Sequence, residues 1–133
     1  MKLTDSDGCF ACGANNPKGL HLSFRTIGEE HVAEFVPTPD YQGFAGIVHG
    51  GILATLLDEA MGHYLWHEGH HAVTAELKVS FHSPAYVWQR LRVSGRIREV
   101  RGRLILCTAR AERDDGTLVA SAEAKFVRVV DRA

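Results

Sequence analysis

Between Gly51 and Trp66 the stretch GILATLLDEAMGHYLW sets Ile52, Leu53, Leu56, Leu57, Ala60, Met61, Tyr64 and Leu65 three and four residues apart. That is the spacing of one broad apolar face on an α-helix, and such a face has to be covered. The rest of the chain offers strands to cover it. Leu20 to Arg25 alternates apolar and polar residues, and Val32 to Val36 reads as a second, weaker strand. The stretch from Pro37 through Val48 has the proline and glycine density of a loop. After the helix, Ala75, Leu77, Val79 and Phe81 alternate with Thr74, Glu76, Lys78 and Ser80. Leu91, Val93 and Ile97 alternate with polar residues in the next strand, and Arg101-Gly102-Arg103 turns the chain into a strand over 104–113. Asp115-Gly116 signals a hairpin into a last strand over about 117–128, with Leu118, Ala120, Ala122, Ala124 and Phe126 on one face. The order β-β-α-β-β-β-β predicts an α+β fold in which a mainly antiparallel sheet wraps one long helix.

The 133 residues predict a single domain, 1–133, with an irregular N-terminal segment over 1–19. The hydrophobic fraction of 45% and charged fraction of 23% are ordinary for a soluble protein. A formal charge of −1 gives no overall attraction to nucleic acid or to an anionic membrane. No secretory signal and no membrane-length apolar run is visible, and an odd number of cysteines, three, fits reduced thiols better than a disulfide framework. The expected location is the cytoplasm.

Three motifs invite chemistry that their surroundings do not support. HEGHH (67–71) matches the zinc-protease pattern, but Gly69 sits inside it and the apolar helical stripe has faded by Trp66. A polar helix end, with histidines near the last carbonyls, is the expectation. Cys9-Phe10-Ala11-Cys12 has CxxC spacing without a second pair or a histidine partner, and reads as a turn closing the N-terminal segment. Arg90, Arg92, Arg96 and Arg98 form a basic stripe, expected as a solvated sheet face or a subunit contact.

His49-Gly50-Gly51 differs, because it stands where the long helix begins. The first backbone N–H groups of a helix have no intrahelical partner, and glycine lets a ligand approach them, so a carbonyl oxygen gaining charge could bind there. A plain helix cap is the alternative. On the helical wheel the acids Asp58 and Glu59 lie on either side of the apolar stripe, and geometry does not say which of them enters a site. Gly51 and Asp58 are seven residues apart, roughly 10 Å along one helix, too far to meet at one carbonyl. If the two features cooperate, the simplest arrangement is a dimer with antiparallel helices and composite sites.

These residues carry a resemblance. The sequence resembles the hotdog-fold acyl-CoA thioesterases, in particular the PaaI-type branch of the phenylacetate pathway. The likeness rests on GIVHGGILATLLDEAMG (46–62), VTAELKVSFHSPA (73–85), DGTLVASAEAKF (115–126) and the N-terminal CFACGANNPKGLHLSF (9–24). It implies Asp58, nine residues after His49, as nucleophile or general base, and the Gly50 N–H as the group that polarises the thioester carbonyl. His49 belongs to that end of the site, and Thr74 matches a hydroxyl residue that positions water or substrate. Several relatives carry asparagine where this chain has Gly43; Gln42 beside it is the substitute the resemblance offers. With Gly51 and Glu59, Gln42 completes the expected substrate-binding set. The implied reaction is hydrolysis of a small or medium acyl-CoA, aryl or fatty, to free acid and CoA, without metal or cofactor. The implied assembly is a homodimer, or a dimer of dimers, with no nucleic-acid or membrane partner. The rival from another class is a non-catalytic acyl-CoA-binding protein of the same fold.

Overall fold

A computed structural model describes residues 1–130 of the chain. Its elements are strands β1 (Arg25–Ile27) and β2 (Glu30–Phe35), a 3-10 turn over Pro39–Tyr41, helix α1 (Gly50–His67), and strands β3 (Ala72–Phe81), β4 (Leu91–Arg101), β5 (Leu104–Arg113) and β6 (Leu118–Arg128). The strands form one six-stranded sheet in the order β1-β2-β4-β5-β6-β3, and each neighbouring pair runs antiparallel. This is the α+β plan that the periodicities predict.

The helix lies against one face of that sheet. Leu53, Leu56, Leu57, Ala60, Met61, Tyr64 and Leu65 are its buried residues, and they meet Leu91 and Val93 of β4, Ile105 of β5 and Phe126 of β6 in one core. Removing this apolar area from water supplies the main driving force, at about 25 cal/mol per Å². At Gly95 an added Cβ would run into the Ala60 backbone, so β4 touches the helix main chain there.

Two expectations need correction. The alternation over Leu20–Arg25 is real, since Leu20 and Leu22 are buried and His21 and Ser23 are exposed, but the ladder strand begins only at Arg25. The Leu20 and Leu22 N–H groups donate instead to the carbonyls of Phe10 and Ala11, at 2.8 and 2.9 Å. A second departure is at Leu118, which is expected on the buried face of the last strand but stays 37% exposed while Val119 and Ala120 are buried. The β5–β6 register shifts between Ala111 and Glu112, so alternation breaks at that end.

The basic stripe is largely neutralised. Arg90 pairs with Asp114, Arg92 with Glu34 and Arg96 with Glu29, all in exposed or half-exposed positions. Among the described residues, no helix is long and apolar enough to cross a membrane.

Candidate active site

The loop before α1 fixes the helix start. The Val48 N–H donates to Ala85 O at 2.8 Å and the His49 N–H to Tyr41 O at 2.9 Å, which tie the loop to two other parts of the chain. Gln42 closes it from within, its Oε1 accepting the Gly46 N–H at 3.0 Å. His49 is the N-cap residue. Its Nδ1 accepts from the Gly51 N–H at 2.8 Å, and its carbonyl accepts from Ile52 and Leu53. Among the described residues the Gly50 N–H has no such acceptor, so it is the donor left for an incoming oxygen. Because Nδ1 accepts, a neutral His49 carries its proton on Nε2.

One helical face further on, Asp58 is half-buried and its Oδ1 accepts a hydrogen bond from the Thr74 hydroxyl at 2.8 Å. Thr74 stands near the start of β3, beside the shift in the β3–β6 register between Thr74 and Glu76. That contact occupies one carboxylate oxygen and leaves Oδ2 for chemistry. Gly50 and Asp58 are eight residues apart on one helix, about 12 Å, too far for both to reach one carbonyl group within one chain.

The structure thus brings together Asp58 with Thr74, and His49 with Gly50 and Gly51. Gln42 lies in the loop that leads to the second group. Glu59, expected to contact substrate, faces the N-terminal segment, with Cys9 Sγ 4.0 Å from its Oε1. Burial first, and then the Glu59 carboxylate, push the Cys12 thiol well above the ordinary range. Sequence reasoning missed Phe81, whose ring lies over the helix start: a Cβ built on Gly50 would be 3.4 Å from Phe81 Cζ. Phe81 is 57% exposed, and periodicity marks it only as the last apolar residue of its strand.

HEGHH holds no zinc-protease geometry. The helix ends at His67, Gly69 takes φ +84°, and the Gly69 and His70 N–H groups return to Trp66 O and Leu65 O. This is the Schellman closure of a helix, and it leaves His67 as the last helical residue with His71 beyond the turn, just before β3. His71 stacks on Trp66, and His70 Nδ1 lies 2.9 Å from Arg128.

A separate histidine group lies between β2 and α1. His31 of β2 is fully buried, with Nε2 2.7 Å from His63 Nδ1 and ring stacking on Phe24 and Tyr64. Burial, reinforced by His63 and His67, pushes its pKa down to about 4.

One long helix wrapped by a six-stranded antiparallel sheet, with a histidine-capped diglycine start and a carboxylate two turns on, defines a hotdog-fold protein. A family model described as the thioesterase superfamily matches residues 45–120, more than half of the chain, and the chain belongs to that superfamily. It is 32% identical over 110 residues to the mouse protein named acyl-coenzyme A thioesterase THEM4, covering 81% of this chain and 47% of that one. The chain therefore spans about half the length of that curated relative. Among solved structures, a thioesterase superfamily protein, RHA08564, superposes with a TM-score of 0.83 at 29% identity, over 88% of this chain and 61% of that one. The PaaI protein from the phenylacetic acid degradation operon of E. coli superposes with a TM-score of 0.77 at 20% identity, over 82% and 84% of the two chains.

Proposed function

We propose that the chain hydrolyses acyl-CoA thioesters to free acid and CoA, at composite sites in a homodimer. The observation that carries this reading is Asp58, held by the Thr74 hydroxyl at 2.8 Å with one oxygen free. The uncommitted Gly50 N–H at the helix start supports it. The thioester carbonyl oxygen takes the Gly50 N–H of one subunit, where the helix dipole favours the negative charge that develops. The partner's Asp58 either removes a proton from a water that attacks the thioester carbon, the proton passing to the departing CoA sulfur, or attacks that carbon itself and releases CoA. In the second case water then hydrolyses the acyl-Asp58 anhydride to the free acid and restores the carboxylate. His49 holds the Gly51 N–H and fixes the turn, Thr74 fixes the carboxylate, and Gln42 shapes the loop beside it.

Strand β3 supports the assembly. It is a ten-residue edge strand, largely exposed, and an unpaired edge of that length favours pairing with another chain. A dimer formed there sets two α1 helices side by side, and pairing of two such dimers gives the tetrameric option. The name of the mouse relative supports acyl-CoA as the substrate class. The apolar groups Phe81 and Tyr86, both exposed, suit a small or medium acyl chain. The proposed compartment is the cytoplasm, where thiols such as Cys9, Cys12 and Cys107 stay reduced.

The test is thiol release from short, long and aromatic acyl-CoAs, run beside sizing chromatography. Asp58→Asn is expected to lower kcat by about a hundredfold or more with the oligomer unchanged. Activity near wild type in that variant sinks the assignment, and tight acyl-CoA binding without turnover in the wild-type protein marks a binding protein instead.

A further inference from the structure

Cys9, Cys12 and Glu59 take no part in the proposed reaction, yet the fold brings them together from two distant parts of the chain. One ligand atom from each, Sγ, Sγ and a carboxylate oxygen, lies within 4.8 Å of the other two, and all three residues are half-buried. The turn that carries the cysteines is built to aim them. The Cys12 backbone N–H points at Cys9 Sγ at 3.5 Å, and the Gly13 N–H donates to Cys9 O at 2.9 Å. Gly13 is buried, and a Cβ there would run into the backbone of Asp7 and Cys9, so the tight CxxCG turn admits only glycine after its second cysteine. Across from it, Glu59 forms no ion pair among the described residues, although it is half-buried. Two thiols and an uncompensated carboxylate converging on one point are a donor set in search of a cation.

We propose that Cys9, Cys12 and Glu59 bind one zinc ion, with water in the fourth position. Zinc–sulfur bonds of about 2.3 Å and zinc–oxygen bonds of about 2.0–2.2 Å in a tetrahedron place ligand atoms roughly 3.5–3.8 Å apart. Side-chain adjustments of about an ångström bring the trio to that spacing. On binding, both thiols lose their protons to solvent, and the ion with two thiolates and one carboxylate carries a net charge of −1. Thiolate ligands select zinc over magnesium or calcium, which need oxygen donors. The N–H directed at Cys9 Sγ favours the thiolate that the metal requires. The site joins the N-terminal segment to the turn of α1 that follows Asp58, so zinc anchors that segment and stabilises the folded chain by mass action. A sequence reader sees only the CxxC pair; the third ligand lies fifty residues away and becomes visible only in the fold.

The reduced protein is to be titrated with zinc against a chromophoric chelator, and separately with cobalt(II) to read the ligands optically. The expected results are one tight equivalent per chain, a raised Tm, and a thiolate-to-cobalt charge-transfer band in the near ultraviolet. Cys12→Ser and Glu59→Gln are expected to weaken zinc binding by about a hundredfold or more. His63→Ala is expected to leave it unchanged, which separates this site from the buried histidine group. Absence of tight zinc binding by the reduced wild-type chain overturns the proposal. So does a cobalt spectrum without the thiolate band, or zinc binding that survives Cys12→Ser. Isolation from a reducing cytoplasm with Cys9 and Cys12 already joined in a disulfide also overturns it.

Discussion

At the residue scale, the site depends on which polar groups the fold leaves uncommitted. Gly50 stands at the first helical position, where proline is tolerated, and His49 before it already has an extended backbone, φ −61° and ψ 137°. Gly50→Pro therefore deletes the proposed oxyanion donor and leaves the helix. It is expected to lower kcat by about 10²–10³ with Tm nearly unchanged, as steady-state kinetics and thermal melts would show. The buried His31 makes a different prediction. Its folded pKa lies near 4 and its ordinary value is 6.5, so between those values the unfolded chain binds the extra proton. Stability is complete above that window and falls as the pH drops through it, by an amount of order 2 kcal/mol from this group. Denaturant melts at pH 7 and pH 4.5 should show a smaller loss in His31→Gln than in the wild type.

Of the strands that α1 packs on, β4 is the most closely joined, and two glycines in these two elements answer to different constraints. At Gly62 an added Cβ would lie 3.6 Å from Phe126, an ordinary contact, in the middle of the helix. Gly62→Ala should therefore stabilise the protein by roughly 0.5–1 kcal/mol through helix propensity. Gly95→Ala pushes a methyl group into the Ala60 backbone and should destabilise by about 2 kcal/mol or more, or prevent folding. Chemical denaturation of the two variants would check the contrast. Sequence patterning located the helix almost to its ends, 51–66 against the observed Gly50–His67, because one covered apolar face imposes its period on the residues. It also identified HEGHH as a helix end, since Gly69 is costly inside a helix and suited to its termination. The same patterning misplaced the first strand, because alternation records which side chains are buried and not which backbone supplies the hydrogen bonds.

At the scale of the whole molecule, the distance between Gly50 and Asp58 gives the proposed dimer a direct test. If each site takes Gly50 from one subunit and Asp58 from the other, Asp58→Asn and Gly50→Pro damage different halves. Two inactive homodimers, dissociated, mixed in equal amounts and reassembled, should recover about a quarter of wild-type activity. Recovery no higher than the sum of the two homodimers would place each site within a single chain.

The sequence by itself determined the layer plan, since helical and strand periods follow from which side chains must leave water, and those are written residue by residue. It also supplied the HGG start and the spacing to Asp58, and that spacing alone required two chains if both halves were to act on one carbonyl. The tertiary structure decided what each polar group does. It paired Thr74 with Asp58 across the helix–strand contact and turned Glu59 toward Cys9 and Cys12. The physical reason is one of range. Periodicity is a local property of the chain, whereas a hydrogen-bond partner or a metal ligand is chosen by distances that exist only after distant segments have packed.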